Sequence, residues 1–329
     1  MFYFLQNRVL LKNAKHEEFR KNFDSIYYKK IVGLLKPFEQ NRLFTLRLCI
    51  VLIIIGLLIV SIDVYCIANQ DTLFPLLSTK QIEYLLSMIM MVGILVLCSP
   101  VYLAKDFEQT LKREVMPEIL KNLKTFKWRT KSSISDGYIN FSDLFADYNR
   151  RFDDDNFSGK YKGVTINICE TELGKKSGSG KNSSYIVRFK GVLVNLLPER
   201  EFKSTILIKK RGLLNFVPEG LQEVNLEDVE FEKRFNVYGD DQIETRYVLT
   251  TAFMDRFKNI AFVFKSDKIE ASIKDTGILI AITVKRDLFK VAKLYRPICD
   301  YSQFKQMIDE FSSILELIEE LKLNQNIGL

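Results

Sequence analysis

Three rhythms of apolar and polar residues run along this chain, and each predicts a different element. Two windows are apolar almost without interruption: residues 48–68 read LCIVLIIIGLLIVSIDVYCIA and residues 85–104 read LLSMIMMVGILVLCSPVYLA. At 1.5 Å per residue, a helix of about 20 residues covers roughly 30 Å, the thickness of a bilayer's hydrocarbon core. Such a helix also satisfies its own backbone polar groups, which lipid cannot do. The windows therefore predict a transmembrane hairpin over 48–104. The rival reading, a pair of buried core helices, needs a soluble domain able to cover helices that are apolar all round. The amphipathic flanks do not supply one.

The second rhythm is helical. Residues 16–46 mix Phe19, Phe23, Ile26, Tyr27, Ile31, Leu34 and Leu35 with Lys and Glu, which predicts an amphipathic helix leading to the membrane. Residues 105–128 predict a second one, interrupted near Pro117, and the two form a cytoplasmic stalk or lie on anionic lipid. At the end, residues 300–323 place Phe304, Met307, Ile308, Phe311, Ile314, Leu315, Ile318 and Leu321 on one face, with Asp309, Glu310, Glu316, Glu319 and Glu320 elsewhere. This predicts a long amphipathic helix that docks on the sheet, on the stalk, or on a copy of itself.

The third rhythm has a period of two. Strands are predicted over 163–172, 184–196 and 205–209, in short pieces within 221–238, and as a hairpin of 268–274 with 278–285 across Asp275-Thr276-Gly277. Residues 140–145 read as a short helix or turn, 153–160 (DDDNFSGK) as a polar stretch between elements, and 174–183 (GKKSGSGKNS) as a flexible hairpin loop. Thr250 is the expected N-cap of a helix over 250–259. The fold class is α+β: a two-helix transmembrane hairpin with amphipathic flanking helices, plus a β-rich cytoplasmic domain, a small barrel or sandwich, closed by a long C-terminal helix. The expected segments are 1–47, 48–104, 105–134, 135–298 and 299–329.

Charge orients the hairpin. Ten cations precede the first window (Arg8, Lys12, Lys15, Arg20, Lys21, Lys29, Lys30, Lys36, Arg42, Arg47), eight fall within 105–131, and the connector 69–84 has only Lys80. The positive-inside rule then puts both termini in the cytoplasm. Arg8, Lys12 and Lys15 interrupt any signal-peptide core, and neither end carries a lipidation motif. The net charge of +7 over 329 residues is too thin for nucleic acid. A single histidine, His16, and five cysteines (Cys49, Cys66, Cys98, Cys169, Cys299) with no C-x-x-C pair exclude histidine-based zinc sites and disulfide frameworks.

Candidate chemistry is sparse. Asp63 is the one ionisable residue inside the windows; it raises an ion pathway, but its place one turn from the outer end favours a carboxylate reaching headgroups and water. Gly174 and Gly180 enclose five residues where a P-loop has four, and Asn182 follows Lys181 where a hydroxyl is needed. Asp154, Asn156, Ser158 and Gly159 match the opening of a calcium loop, but Thr165 stands where the bidentate carboxylate belongs. Asp240, Asp241 and Glu244 cluster beside Gly239 in a turn, and Lys209-Lys210-Arg211-Gly212 is a cationic run of the kind found at solvated strand ends. No catalytic, cofactor-binding or metal-ligating residue is assigned.

The ordered set Ser142-Asp143-Leu144-Phe145, residues 150–159 (RRFDDDNFSG), Phe189-Lys190-Gly191-Val192-Leu193, residues 231–238 (FEKRFNVY) and Tyr247-Val248-Leu249-Thr250 resembles a bacterial membrane family catalogued as domain of unknown function 3137. The resemblance covers roughly 140–283, and the hairpin upstream fits it. It implies a bacterial inner-membrane protein with a β-rich cytoplasmic domain, and no activity or site residue comes with it. The resulting expectation is a non-enzymatic anchored protein whose partners are the lipid bilayer and a protein or lipid headgroup at the cytoplasmic domain. A homo-oligomer stays open. The alternatives are a membrane enzyme using Asp153 to Asp155 or Asp240, Asp241 and Glu244, and a channel or transporter subunit built around Asp63.

This topology is directly testable. With the native cysteines replaced, single cysteines at Thr72 or Ser78 should react with an impermeant maleimide on intact cells, and those at Ser135 or Asn324 only after lysis. Labelling at Asn324 in intact cells would reverse the orientation.

Overall fold

The computed structural model describes residues 24–25, 27–75, 78–120, 126–129, 131–178, 183–199, 201–212, 217–275, 277–286, 288–289 and 293–320. The start of the expected membrane-proximal helix (16–23), the tip 179–182 and the end of the last helix (321–323) lie outside the described residues. Contacts divide the chain into a helical unit, 24–118 with 290–304, and a sheet unit, 119–289 with the chain from 305.

In the helical unit a π-helical turn (Tyr27–Ile31) leads into α1 (Val32–Ala68), and the chain returns as α2 (Thr79–Leu120). The flanking helices are continuous with the apolar windows: Pro37, Pro100 and Pro117 all lie inside helices. Pro100 cannot donate to the carbonyl of Val96, four residues back, and the Ser99 hydroxyl fills that role at 2.7 Å. Residues 127–129 are not helical; they form a strand, held by a ladder to residues 156–158.

The buried positions of α1 are Leu35, Arg42, Cys49, Gly56 and Asp63, seven residues apart. On α2, Leu86, Gly93, Pro100 and Phe107 repeat the spacing. A seven-residue stripe on a 3.6-residue helix makes a left-handed seam. Two glycines let the helices touch there: a Cβ on Gly56 would lie 2.6 Å from Leu97 Cγ, and one on Gly93 2.9 Å from Val60 Cγ2. Asp63 does not reach a watery margin as the sequence suggests. It falls in phase with Gly56 on the seam, is fully enclosed, and neither carboxylate oxygen has a hydrogen-bond partner among the described residues. Elsewhere the apolar side chains stay uncovered: only 11% and 17% of the two most apolar windows are buried, and both helices are long and apolar enough to cross a membrane.

Among the described residues the sheet unit carries nine strands: β1 (Lys127–Arg129), β2 (Arg150–Tyr161), β3 (Val164–Ser177), β4 (Ser184–Leu197), β5 (Ile206–Lys210), β6 (Gln222–Glu223), β7 (Phe235–Gly239), β8 (Lys268–Lys274) and β9 (Gly277–Thr283). They form one antiparallel sheet in the order β1-β2-β3-β4-β9-β8-β5-β7-β6. This sheet is not closed, so the expected barrel or sandwich gives way to a single open sheet. Its terminal strands are only three and two residues long, too short to complete a barrel ladder. The polar stretch 153–160 lies inside β2 rather than between elements. The ladder to β3 satisfies its backbone, and a bulge between Asp153 and Asn156 absorbs the irregular polar run.

Helices cap themselves as they cross the sheet. α3 (Asp136–Phe141) begins upstream of the expected turn because Ser135 accepts from Tyr138 N–H at 3.2 Å. α4 (Val229–Glu232) and α5 (Gln242–Val248) start on the Asp228 and Asp241 carboxylates, and α6 (Thr251–Val263) on the expected Thr250 hydroxyl. α7 (Tyr301–Glu320) is the long terminal helix, with Phe304, Met307, Ile308, Phe311, Ile314, Leu315 and Ile318 all buried.

Strand parity separates two cores. Cys169, Leu173, Leu193, Leu207, Tyr238, Leu279 and Ala281 face Ile134, Ile139 and Leu144 on one side. Their alternates meet helices on the other: Phe157 packs on Phe311 of α7 with centroids 5.1 Å apart, and Phe235 on Phe257 of α6 at 5.3 Å. Gly191 permits the close approach of β4 and β9, since a Cβ there would lie 2.0 Å from the Ile282 carbonyl oxygen. Gly191→Ala should destabilise the full chain by about 3 kcal/mol, whereas Gly33→Ala, in α1 with open space around it, should stabilise it by up to about 1 kcal/mol. Thermal unfolding in detergent compares the two; equal shifts would remove the close-approach explanation.

Candidate functional site

Most of the carboxylates singled out outside the membrane windows are held by partners of their own. On β2, Asp153 accepts from Arg151 Nε at 2.8 Å, Asp154 is exposed, and Asp155, fully buried, accepts the Trp128 indole N–H at 3.0 Å. An extended strand spaces residues two apart by about 6.6 Å along a line, so the calcium-like spacing of Asp154, Asn156 and Ser158 cannot wrap around an ion. At the end of β7, Asp240 accepts from the Ser204 hydroxyl and from Thr205 N–H at 3.0 Å. Burial raises its pKa, but these hydrogen bonds outweigh burial and hold it below the usual carboxylate range. Asp241 accepts from Ile243 and Glu244 N–H at 2.8 and 3.0 Å as the cap of α5. Among the described residues no group of three His, Cys, Asp or Glu side chains could hold a metal ion.

The cationic run is likewise engaged. Lys209 Nζ donates to the Asp143 carbonyl at 2.9 Å and Arg211 donates to the Glu232 carbonyl. Gly174 sits inside β3 under the ring of Tyr185, where a Cβ would lie 2.3 Å from the ring. It is a packing glycine rather than a phosphate cradle.

The densest polar constellation is one that the sequence reading passed over. Arg151 joins Asp153, Asp136 (Nη1, 2.9 Å) and the Ile134 carbonyl (2.9 Å), with its Nη2 3.8 Å from Cys169 Sγ. The Cys169 thiol lies 3.3 Å from Asp153 Oδ1, and the Tyr148 hydroxyl donates to Asp136 at 3.0 Å. Burial pushes the Cys169 thiol up to about 12, so it stays a thiol at neutral pH. Burial also works against the Arg151 cation, but Asp153 and Asp136 outweigh it and raise its pKa. The arrangement ties α3 and the preceding loop to β2 and β3. Its signal was Arg151 and Asp153 two apart on one strand face, invisible while 153–160 read as a polar stretch between elements.

A second constellation lies in the helical unit. Glu39 takes both Arg42 Nε (3.0 Å) and Nη2 (2.7 Å) and also accepts Ile298 N–H at 2.9 Å, while Arg42 Nη1 donates to the Leu294 carbonyl at 2.7 Å. The Arg42 hydrogen bonds hold the Glu39 carboxyl below its ordinary range, against burial. Tyr27 donates to the Cys299 carbonyl at 3.0 Å and packs on Tyr301 and Phe304. Thus 294–304 is clasped to the start of α1, and Arg42, one of the orienting cations, is buried.

The third buried charge is on α7. Glu310 was expected on the polar face, yet it is enclosed and accepts from Arg286 and, at 3.2 Å, from Gln306. Burial raises its carboxyl pKa, and Arg286 and Gln306 offset only part of that. A raised native carboxyl binds more protons folded than unfolded, so its contribution to stability falls as pH rises from the ordinary carboxylate range through the raised value. The stability difference between the native chain and Glu310→Gln should decline across that window on going to higher pH. A difference that is flat or rising in pH-resolved unfolding would contradict the burial.

Comparison with known proteins adds a family. Residues 187–323 match the family described as "Protein of unknown function (DUF3137)". No curated protein matches the chain. Among solved structures, the mycobacterial trehalose monomycolate transport factor A, TtfA, is similar at 10% identity over 59% of this chain and 88% of that one, with a TM-score of 0.33. That likeness is too loose to define a shared fold.

Proposed function

We propose that this chain, which belongs to the family of domain of unknown function 3137 through residues 187–323, is a membrane-anchored, non-enzymatic protein whose α+β domain binds a protein partner or lipid headgroups. In this reading α1 and α2 cross the bacterial inner membrane and both termini are cytoplasmic, in keeping with the cation asymmetry across the hairpin. The observation that carries it is the exposure of the two helices. Ile50, Val51, Ile53, Ile54, Leu57 and Leu58 face outward uncovered on α1, and Met88, Met91, Val92, Ile94 and Leu95 on α2, which suits a lipid solvent and no aqueous one.

An enzyme built on carboxylates would require Asp153 to Asp155, or Asp240, Asp241 and Glu244, to converge on one pocket. The separate structural hydrogen bonds of Asp153, Asp155, Asp240 and Asp241 favour a binding role instead. A channel around Asp63 would require that side chain to face a second copy, whereas it is enclosed between the helices of one hairpin.

Two measurements test the reading on the full chain. Alkaline washing should leave the protein in the membrane pellet, and its release would remove the anchor. A photoreactive amino acid scanned over exposed positions of the sheet unit in growing cells should give adducts at one contiguous patch. Adducts at no position, or evenly at all of them, would remove the binding role.

A further inference from the structure

The β3–β4 hairpin extends past the rest of the sheet. β4 pairs with β9 only from Gly191 to Leu196, and Val284 N–H reaches the Lys190 carbonyl, so residues 184–189 have β3 on one side and no strand on the other among the described residues. The β3 side of this ribbon is closed: Asn149 bonds Lys176 through both its N–H and its carbonyl at 2.9 Å, and Lys175 pairs with Asp147. The β4 side is left open. A free edge of this kind is normally blunted or used.

Its side chains are unusual for a free edge. Ile186 and Val187 are neighbours and so point to opposite faces, yet each is 49% exposed, and Tyr185 is 43% exposed. The register shift between Leu173 and Gly174 leaves Arg188 as the extra residue of a bulge, a device that re-aims a side chain. From Gly174 to Gly191 the sequence contains no Asp or Glu. Asp147 pairs with Lys175, while Glu172 pairs with Lys190 and accepts the Tyr185 hydroxyl. The excess charge of the ribbon is therefore cationic, and among its described residues it resides in Lys176 and Arg188.

We propose that this ribbon docks into the headgroup layer of an anionic bilayer, with Ile186 and Val187 entering from its two faces and Lys176 and Arg188 meeting lipid phosphates. The proposal rests on the membrane-anchored reading above. Apolar side chains on both faces suit immersion, whereas an added peptide strand would cover the edge and leave the two faces as they are. Pairing with a second copy along the same edge would oppose like charges. The tether makes the encounter intramolecular, since β1 starts only seven residues after α2 ends.

The test uses the full chain in nanodiscs, with an environment-sensitive fluorescent amino acid at position 186 and a control at position 243, exposed on α5. In discs of phosphatidylcholine with phosphatidylglycerol, emission from position 186 should shift to the blue and be quenched by headgroup-region spin-labelled lipid, with position 243 unchanged. Each cation near an anionic surface strengthens binding about fivefold, so the Lys176→Glu, Arg188→Glu double variant should lose the shift. Unshifted emission in the anionic discs, or equal shifts with and without phosphatidylglycerol, would overturn the proposal. A shift in native membranes that is absent from anionic discs would assign the ribbon to a protein. That result would overturn lipid docking while leaving the binding role of the domain intact.

Discussion

The centre of the sheet unit is a run of strands that are apolar at nearly every position, with Asn195 of β4 the break, and everything around it follows from the need to cover both faces. Ile278, Leu279, Ile280, Ala281 and Ile282 of β9 are all buried, as are Val192, Leu193, Val194 and Leu196 of β4. An alternating strand needs one layer; these need two. The segment holding Ile134, Ile139 and Leu144 supplies one, and α6 and α7 supply the other. Once both faces are covered, a charge caught under the layers needs a partner. That is why Asp155 meets Trp128, and why Glu310 meets Arg286.

The same requirement explains how the charged residues are used. Arg151, Glu39, Arg42 and Glu310 are each saturated by neighbours that belong to different segments of the chain. Groups so engaged fasten layers together; a catalytic group needs capacity left over for a substrate. Cys169 fits this picture, since burial keeps its thiol protonated and poorly nucleophilic. Asp63 stands apart, a buried carboxyl whose oxygens have no hydrogen-bond partner among the described residues, on a face of α1 that otherwise buries Leu35, Arg42, Cys49 and Gly56.

The sequence by itself determined the elements whose pattern is periodic and local. The apolar windows, the strand pairs 163–172 with 184–196 and 268–274 with 278–285, the Thr250 cap and the buried face of the last helix all appear in the structure. In each, the residues that define the element lie within a few turns or one hairpin of one another, so spacing alone carries the information.

Tertiary structure decided whatever depended on partners distant along the chain. The stretch 153–160 became a strand because β3 offered it a ladder, and Trp128 left the helical phase for a place beside Asp155. The sheet stayed open because strands from opposite ends of the order are too short to meet. Glu310, polar by type, is buried because Arg286, 24 residues upstream, reaches it. Hydrophobic periodicity records which side of an element is apolar, but a charged residue's burial depends on whether a counter-charge and its hydrogen bonds arrive from elsewhere, and only the folded chain brings them together.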